Sequence, residues 1–193
     1  DPTSAWAVSG FTDINTAFVL DLLSLEAGNA WSFAIVGSRT TDELMALDSI
    51  TTAVIDATGV TQVTGSAADL LAVTSAPGVD LPTFFGVVVT GGISIADIQV
   101  LDTRNGVGTL TYDLNDTAAN LVANAGNYVP SAGSVTVVGA ATAAQLNAID
   151  ALLGPNATLT VSEITDVAAN VAAVDALIGG VGVGSNADVT IIG

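Results

Sequence analysis

The sequence predicts an α/β fold, a parallel solenoid of about seven strand–helix repeats of roughly 25 residues each, followed by a final strand. Three observations lead to this prediction. A five-residue phrase recurs at a step of 25 residues, as DTAAN at 116–120, ATAAQ at 141–145 and DVAAN at 166–170. Segments rich in Val, Thr and Ile alternate with segments whose apolar residues have helical spacing. Half of the residues are hydrophobic but only 5% are aromatic, which favours closely stacked, regular layers.

The period extends along the whole chain. Each repeat has a large apolar residue near the start of its helix-like segment, which serves as the marker of that repeat. The markers are Leu44, Leu70, Ile98, Leu121, Leu146 and Val171, preceded by Ala17 as a weaker one. Successive markers are 27, 26, 28, 23, 25 and 25 residues apart, so insertions within a repeat are short.

The predicted strands precede the markers. In chain order they read AWAVSG, SFAIVG, GVTQVTG, GVVVTG, TLTYDL, SVTVVG and TLTVSE. Val, Thr, Ile and Phe favour strands, and most of these runs are bounded by Gly or another small residue. An eighth run, DVTIIG from Asp188, has no helix-like segment after it.

The predicted helices contain the markers. They read INTAFVLDLLSL, TTDELMALDSI, SAADLLAVT, SIADIQVLD, DTAANLVANAG, ATAAQLNAIDALLG and DVAANVAAVDALIGG. Apolar residues such as Leu146, Ile149 and Leu153 lie on one helical face. We predict Asp116 and Asp166 as N-caps, because Asp accepts hydrogen bonds from the first free N–H groups of a helix. The predicted helix ends are Gly126, Gly154 and Gly179.

Strands that alternate with such helices predict parallel pairing through crossover connections. The repeat is too short for a doubly wound nucleotide-binding fold, and a closed α/β barrel would need an eighth helix. A parallel β-helix, in which some helix-like segments are turns, is the alternative. The predicted single domain spans 1–193, with repeats at 4–30, 31–56, 57–83, 84–107, 108–132, 133–156 and 157–186 and a terminal strand at 187–193.

The charge balance excludes several classes of partner. The formal net charge is -17, from 19 acidic residues against Arg39 and Arg104 alone. Nucleic acid and anionic membrane surfaces are excluded because both are bound through Lys and Arg. No segment reaches the ~18 uninterrupted apolar residues of a membrane span. Divalent cations remain candidate partners, although the acids also serve to keep an apolar protein soluble.

The side-chain inventory predicts a protein that is not an enzyme. With neither His nor Cys, the chain has no Ser–His or Cys–His nucleophile and no thiolate metal site. The glycine-rich GVGVGSN follows a helix-like segment and lacks the Lys of a phosphate-binding loop, so it is interpreted as a turn. Paired carboxylates hydrolyse glycosides in other proteins, but few aromatic residues are present here to stack on sugars.

One acidic pattern follows the repeat. Four residues after a marker stand Asp21, Asp48, Asp102, Asp150 and Asp175. In a solenoid these positions form a column of like charges, which repel unless they are solvated, bonded to backbone N–H groups or bridged by cations. Two interpretations therefore stay open: each Asp bonds locally, or some of the five bind calcium, the one cofactor that the sequence suggests.

The two predicted ends of the solenoid lack polar caps. TSAWAVSGF near the start is apolar and contains Trp6 and Val8, and the last strand contains Val189, Ile191 and Ile192. An uncapped strand edge pairs readily with another strand, and such a contact is head-to-tail. We therefore expect a subunit interface at these five residues and a homopolymer in which the chain is its own partner.

Residues 109 to 193 also resemble a known group of proteins. The phrases DTAANLVANAG, ATAAQLNAID and DVAANVAAVDAL are similar to repeats of very long secreted bacterial surface proteins, from cyanobacteria and proteobacteria, of the hemolysin-type (RTX-like) adhesin kind. The resemblance implies export, a location outside the cell or on its surface, and a structural or adhesive use. The glycine–aspartate nonapeptide that binds calcium in that group is missing, since GGVGVGSNAD has the glycines without the aspartate at the expected place, so calcium binding is not carried over.

Two functions are expected from these observations. The first is a structural subunit of an extracellular filament or surface layer, and the alternative is a stalk or binding segment of a giant surface adhesin.

Overall fold

A computed structural model describes residues 32–167, 170 and 188–191. Within these residues the fold is α/β, and seven strands in all-parallel arrangement alternate with helices. The strands are β1 Ala34–Thr40, β2 Ile55–Gly65, β3 Val79–Asp80, β4 Gly86–Ile93, β5 Leu110–Thr117, β6 Ser134–Ala141, β7 Thr158–Asp166 and β8 Asp188–Ile191, of which β3 is a short addition to the seven. The helices are α1 Thr41–Ile50, α2 Ala67–Val73, α3 Ile95–Asn105, α4 Ala118–Ala123 and α5 Ala143–Asp150, with a 3₁₀ turn at Val129–Ser131. The predicted α/β class and the parallel alternation are confirmed.

The chain divides into two compact units. The first unit comprises Asp1–Thr90 and Val100–Leu110, and the second comprises Gly91–Gln99 and Thr111–Gly193. None of the helices in the described residues is both long enough and apolar enough to cross a membrane.

In the first unit, β2 pairs with β1 on one side and β4 on the other, in parallel. The register places Ser38 opposite Gln62 and Gln62 opposite Gly86. β3 pairs with the beginning of β2, where Ile55 is opposite Val79. Helix α1 begins at a capping box, in which the Thr40 hydroxyl accepts from the N–H of Glu43 and the Glu43 carboxylate accepts from the N–H of Thr40.

In the second unit the order is β5-β6-β7-β8, and every pair is parallel. Leu114 is opposite Val135, and Val135 is opposite Leu159. Between Val137 and Ala140 the register of β6 shifts, and Gly139 there has a φ of 74°. A positive φ is costly for most residues, so glycine suits this bulge.

The marker residues are the helix side chains that are buried in the core. The five that lie in the described residues have between 0% and 4% of their surface exposed: Leu44, Leu70, Ile98, Leu121 and Leu146. Val171 and Ala17 lie outside the described residues. Apolar strand residues such as Val135, Leu159 and Val161 are buried as well. The periodicity therefore identified the buried face of each described helix.

The opposite face of the strands in the second unit is open to solvent and mostly polar, with Val138 as an exposed apolar residue. Asn115 is opposite Thr136, which is opposite Thr160, so the three side chains stand in one row across β5, β6 and β7. Asn115 and Thr160 are exposed and Thr136 is half-buried. Parallel sheets are usually covered on both faces, so this row is an unusual feature for an α/β protein.

Several predicted boundaries were wrong. The helix after β5 has Thr117 as its N-cap, with the Thr117 hydroxyl accepting from the N–H of Asn120, and Asp116 is still part of the strand. Asp166 is likewise the last residue of β7. Both carboxylates are engaged elsewhere, as described below.

The predicted helix ends were also displaced. Helix α4 ends at Ala123, with Asn124 in the left-handed conformation, two residues before Gly126. Helix α5 ends at Asp150, before Gly154, and Gly179 lies outside the described residues. The repeat boundary at 56/57 falls inside β2, because Ile55 and Ala57 are both fully buried and extend the strand backwards.

Candidate functional site: strand-end carboxylates and the β8 edge

The recurring phrase places two buried carboxylates at strand ends in the second unit. Asp116 is the next-to-last residue of β5 and Asp166 is the last residue of β7. Only 7% of Asp116 and 9% of Asp166 is exposed. Carboxylates are rarely buried to this degree unless they are paired or hydrogen-bonded, so each requires specific partners.

Asp116 joins the end of one repeat to the beginning of the preceding helix. Its Oδ2 accepts a hydrogen bond from the N–H of Ile95, the first residue of α3, at 2.9 Å. Its Oδ1 accepts from the N–H of Thr117 at 2.7 Å and from the side-chain amide of Asn120 at 2.8 Å. The first N–H groups of a helix lack partners within that helix, and here a carboxylate 21 residues further along the chain supplies one.

Asp166 repeats this arrangement one phrase later. Its Oδ2 accepts from the N–H of Ala143, the first residue of α5, at 3.0 Å. Its Oδ1 accepts from the N–H of Val167 at 2.7 Å and from the Asn170 amide at 2.9 Å. The Asn170 side chain, followed by the N–H groups of Val167 and Ala143, lowers the pKa of Asp166 below its ordinary value, because all three stabilise the ionised form.

The intermediate phrase, ATAAQ, is built differently. Ala141 stands where the other two phrases have Asp, and it is buried. Gln145 replaces the Asn and forms a capping box with Thr142, in which Gln145 Oε1 accepts from the N–H of Thr142 at 3.0 Å. Within 116–170 the full structural period is therefore 50 residues, from Asp116 to Asp166, and comprises two kinds of repeat.

The strand glycines show the same alternation. Gly37, Gly91 and Gly139 have φ values of 78°, 83° and 74° and lie in β1, β4 and β6. The intervening strands β2, β5 and β7 have no residue with positive φ. The sequence contained this signal, since the step from Gly91 to Gly139 is close to twice the 25-residue period.

The predicted aspartate column is only partly visible. Asp48 lies in α1, Asp102 in α3 and Asp150 at the end of α5, and all three are half-buried. Asp21 and Asp175 lie outside the described residues. The Asp48 carboxylate packs so closely on Gly78 that a side chain at Gly78 would overlap it. Within the described ranges no three acidic side chains lie close enough together to hold a metal ion.

The second feature of interest is the edge of the sheet in the second unit. Asp188 is opposite Glu163, Val189 is opposite Ile164 and Ile191 is opposite Asp166, so β8 pairs in parallel with β7. In the part of the chain that the structure describes, β8 is the last strand of the pairing order and has one neighbour. The predicted interface residues Val189 and Ile191 belong to this strand, whereas Trp6, Val8 and Ile192 lie outside the described residues.

Comparisons of the chain with protein-family models, with curated proteins and with solved structures find no match. The resemblance to secreted bacterial surface repeats therefore depends on the quoted phrases alone. Three structural features therefore bear on function: the strand-end carboxylates, the open polar row and the β8 edge.

Proposed function

We propose that the protein is a non-enzymatic structural subunit of an extracellular filament or surface layer. In this proposal the strand–helix repeats stack as a solenoid, and copies assemble head-to-tail through strand edges. The observation that carries the proposal is β8, a parallel strand with a single neighbour in the described residues.

The chemistry of a strand edge supports this assembly. An edge strand presents N–H and C=O groups that pair with any extended segment in suitable register. Natural edges are often protected by Lys, Pro or a bulge. β8 reads DVTI, which has neither Lys nor Pro, and its register with β7 continues from Glu163 to Asp166 without a shift. Pairing of this edge with a strand of a second copy would extend the parallel sheet, and because the contact is not self-complementary it would propagate.

The strand-end carboxylates support the stacking of repeats. Asp116 reaches from β5 to the beginning of α3, and Asp166 reaches from β7 to the beginning of α5. Each thus ties one repeat to the preceding one with a charge-assisted hydrogen bond. Stability in stacked repeats comes largely from such contacts between neighbours.

The open row of Asn115, Thr136 and Thr160 supports the alternative function, a stalk or binding segment of a giant surface adhesin. Repeat proteins commonly use an exposed sheet face for binding. In this alternative the chain remains monomeric, and its strand edges are covered by neighbouring repeats of the same polypeptide.

Self-association of the purified chain tests the proposal. We expect analytical ultracentrifugation to show concentration-dependent growth and negative-stain electron microscopy to show linear assemblies. Two proline variants, Val189→Pro and Thr190→Pro, form a matched pair, because adjacent residues of a parallel strand direct their N–H groups toward opposite neighbours. One variant removes a donor to β7 and destabilises the subunit, and the other removes a donor at the open edge.

We expect the open-edge variant to keep the thermal midpoint of the native chain while losing assembly. A native chain that stays monomeric up to millimolar concentration would contradict the filament proposal and favour the adhesin stalk.

A further inference from the structure

The first unit contains a pocket that the proposed assembly does not use. It lies between the end of α2, the loop that follows β3 and the end of α3, and its volume is about 350 Å³. Pockets that bind small molecules typically measure roughly 300–1,000 Å³. The pocket occupies the repeat with the widest marker spacing, 28 residues from Leu70 to Ile98, so an insertion in the repeat builds its wall.

The pocket contains one of the two basic residues of the chain. Arg104 is half-buried, and its Nη1 donates to the Leu71 carbonyl at 2.7 Å and to the Thr74 hydroxyl at 2.8 Å. Neither acceptor is a carboxylate. A guanidinium has five N–H donors, so three take no part in these two bonds. The two bonds to the end of α2 fix the side chain, which lowers the entropy lost when the guanidinium binds an anion.

The walls beside Arg104 combine apolar residues with the polar residues Thr74, Asp80 and Thr83. Leu81 and Pro82 line the pocket from the loop, and the buried Phe85 lines it at the start of β4. Asp80 lines it as well and is exposed, so it opposes any anion and repels a ligand with two negative charges more strongly than one with a single charge. This combination suits a ligand that has one anionic group and an apolar body.

Two exposed apolar side chains lie in the segments that adjoin the lining residues in sequence, although neither lines the pocket itself. Phe84 is 59% exposed and Val107 is 84% exposed. Phe84 lies directly against Gly106, whose φ of 65° and lack of a side chain allow this approach.

We propose that this pocket binds a monocarboxylate with a branched apolar body, its carboxylate on Arg104 and its hydrocarbon part against Leu81, Pro82 and Phe85. The same chemistry is offered by a free carboxylic acid and by the C-terminus of a peptide that ends in an apolar residue. The proposal does not depend on the filament, because every residue involved belongs to the first unit.

Calorimetry and ¹⁵N–¹H NMR titration of the whole chain with 4-methylpentanoate test the proposal. We expect saturable binding and shifts of the Arg104 side-chain and loop 81–85 signals, with 4-methylpentanamide at least 10-fold weaker because it lacks the charge. Leucine and an acetylated peptide ending in Leu distinguish the two sources of the carboxylate. Tighter binding of the peptide than of 4-methylpentanoate assigns the pocket to a chain terminus, and the reverse order assigns it to a small acid.

Variants separate binding from folding. Arg104→Gln should weaken the binding of 4-methylpentanoate by about 10- to 100-fold. Leu81→Asp should weaken binding to the same extent while leaving Arg104 and its hydrogen bonds to the end of α2 in place. Arg39→Gln removes the other guanidinium and should leave binding unchanged. Equal affinity for the acid and its amide, or an affinity that Leu81→Asp does not alter, would overturn the proposal.

Discussion

At the scale of single residues, the recurring phrase is explained by hydrogen bonding. In DTAAN and DVAAN the Asp accepts from the residue that follows it, from the Asn four positions later and from the first N–H of the preceding helix. The small alanines between them are partly a packing requirement, since Ala118 is buried at the start of its helix. The phrase therefore connects the end of a strand to the beginning of the preceding helix, and its repetition requires no ligand.

The pH dependence of stability tests this connection at Asp166. A carboxyl whose pKa is lowered in the folded state adds stability above its unfolded pKa of about 3.9, and this contribution is lost as pH falls through the lower folded value. We expect Asp166→Asn to be less stable than the native chain at pH 7 and the difference to shrink steadily below pH ~5. Urea denaturation at a series of pH values between pH 2 and pH 7 gives the free energy of unfolding of both proteins.

Glu163→Gln is the matched control, because it also removes one negative charge from β7. A difference between Asp166→Asn and the native chain that stays constant over the whole pH range would show that the carboxylate contributes through packing alone.

At the scale of elements, the 25-residue repeat contains two types of strand–helix pair. One type has a glycine bulge in its strand, as at Gly139, and its helix receives the carboxylate of the next strand, as α5 does from Asp166. The other type ends its strand with Asp, as β5 and β7 do. Neighbouring helices of the second unit are thus anchored differently although their sequences look alike.

Removal of the Asp116 carboxylate should loosen the beginning of α3. In Asp116→Ala three donors lose their acceptor, of which the buried N–H of Ile95 matters most, because an unsatisfied buried group costs about 1–3 kcal/mol. For a chain of this length we expect a thermal midpoint lower by roughly 4–10 °C. Circular dichroism gives the midpoint, and hydrogen exchange should show faster exchange at the Ile95 amide.

Two further variants should lower the thermal midpoint by less than Asp116→Ala does. Asn120→Ala removes one donor and leaves the carboxylate bonded to two backbone groups, so its midpoint should fall less. Asp42→Ala removes an exposed acid from α1 and should change the midpoint little. Equal midpoints for Asp116→Ala and Asp42→Ala would refute the role assigned to the buried carboxylate.

At the scale of the whole molecule, the large negative charge bears on the proposed assembly. The net charge of -17 opposes the approach of a second copy at low ionic strength. Assembly through the β8 edge should therefore depend on salt or on a divalent cation. A requirement for a divalent cation would connect the proposed filament with the aspartates that stand four residues after the markers.

The calcium hypothesis makes a quantitative prediction. With a dissociation constant of about 10⁻⁴ M, typical of extracellular modules, 10 mM calcium adds about 2.7 kcal/mol. The thermal midpoint should then rise by roughly 5–10 °C, return to its starting value in chelator and respond less to magnesium. Asp48→Asn, Asp102→Asn and Asp150→Asn should each reduce the rise. An unchanged midpoint would assign these side chains to local interactions such as that of Asp48 with Gly78.

The sequence by itself determined the fold class, the parallel alternation and the buried helix faces. Marker residues such as Leu44 and Ile98 were found from spacing alone, because burial on one helical face imposes a period that a sequence must follow. The open strand face was not predicted, although the alternation of Thr and apolar residues in TLTVS is a signal that could have indicated it.

Only the tertiary structure decided what the polar residues do. Asp116 follows the sequence rule for an N-cap of its own helix, yet its carboxylate serves a helix that begins 21 residues earlier. The pocket around Arg104 likewise joins α2, the loop after β3 and α3. Local preferences act over a few residues, whereas the partner of a buried charge is chosen by which segments the fold brings within hydrogen-bonding distance.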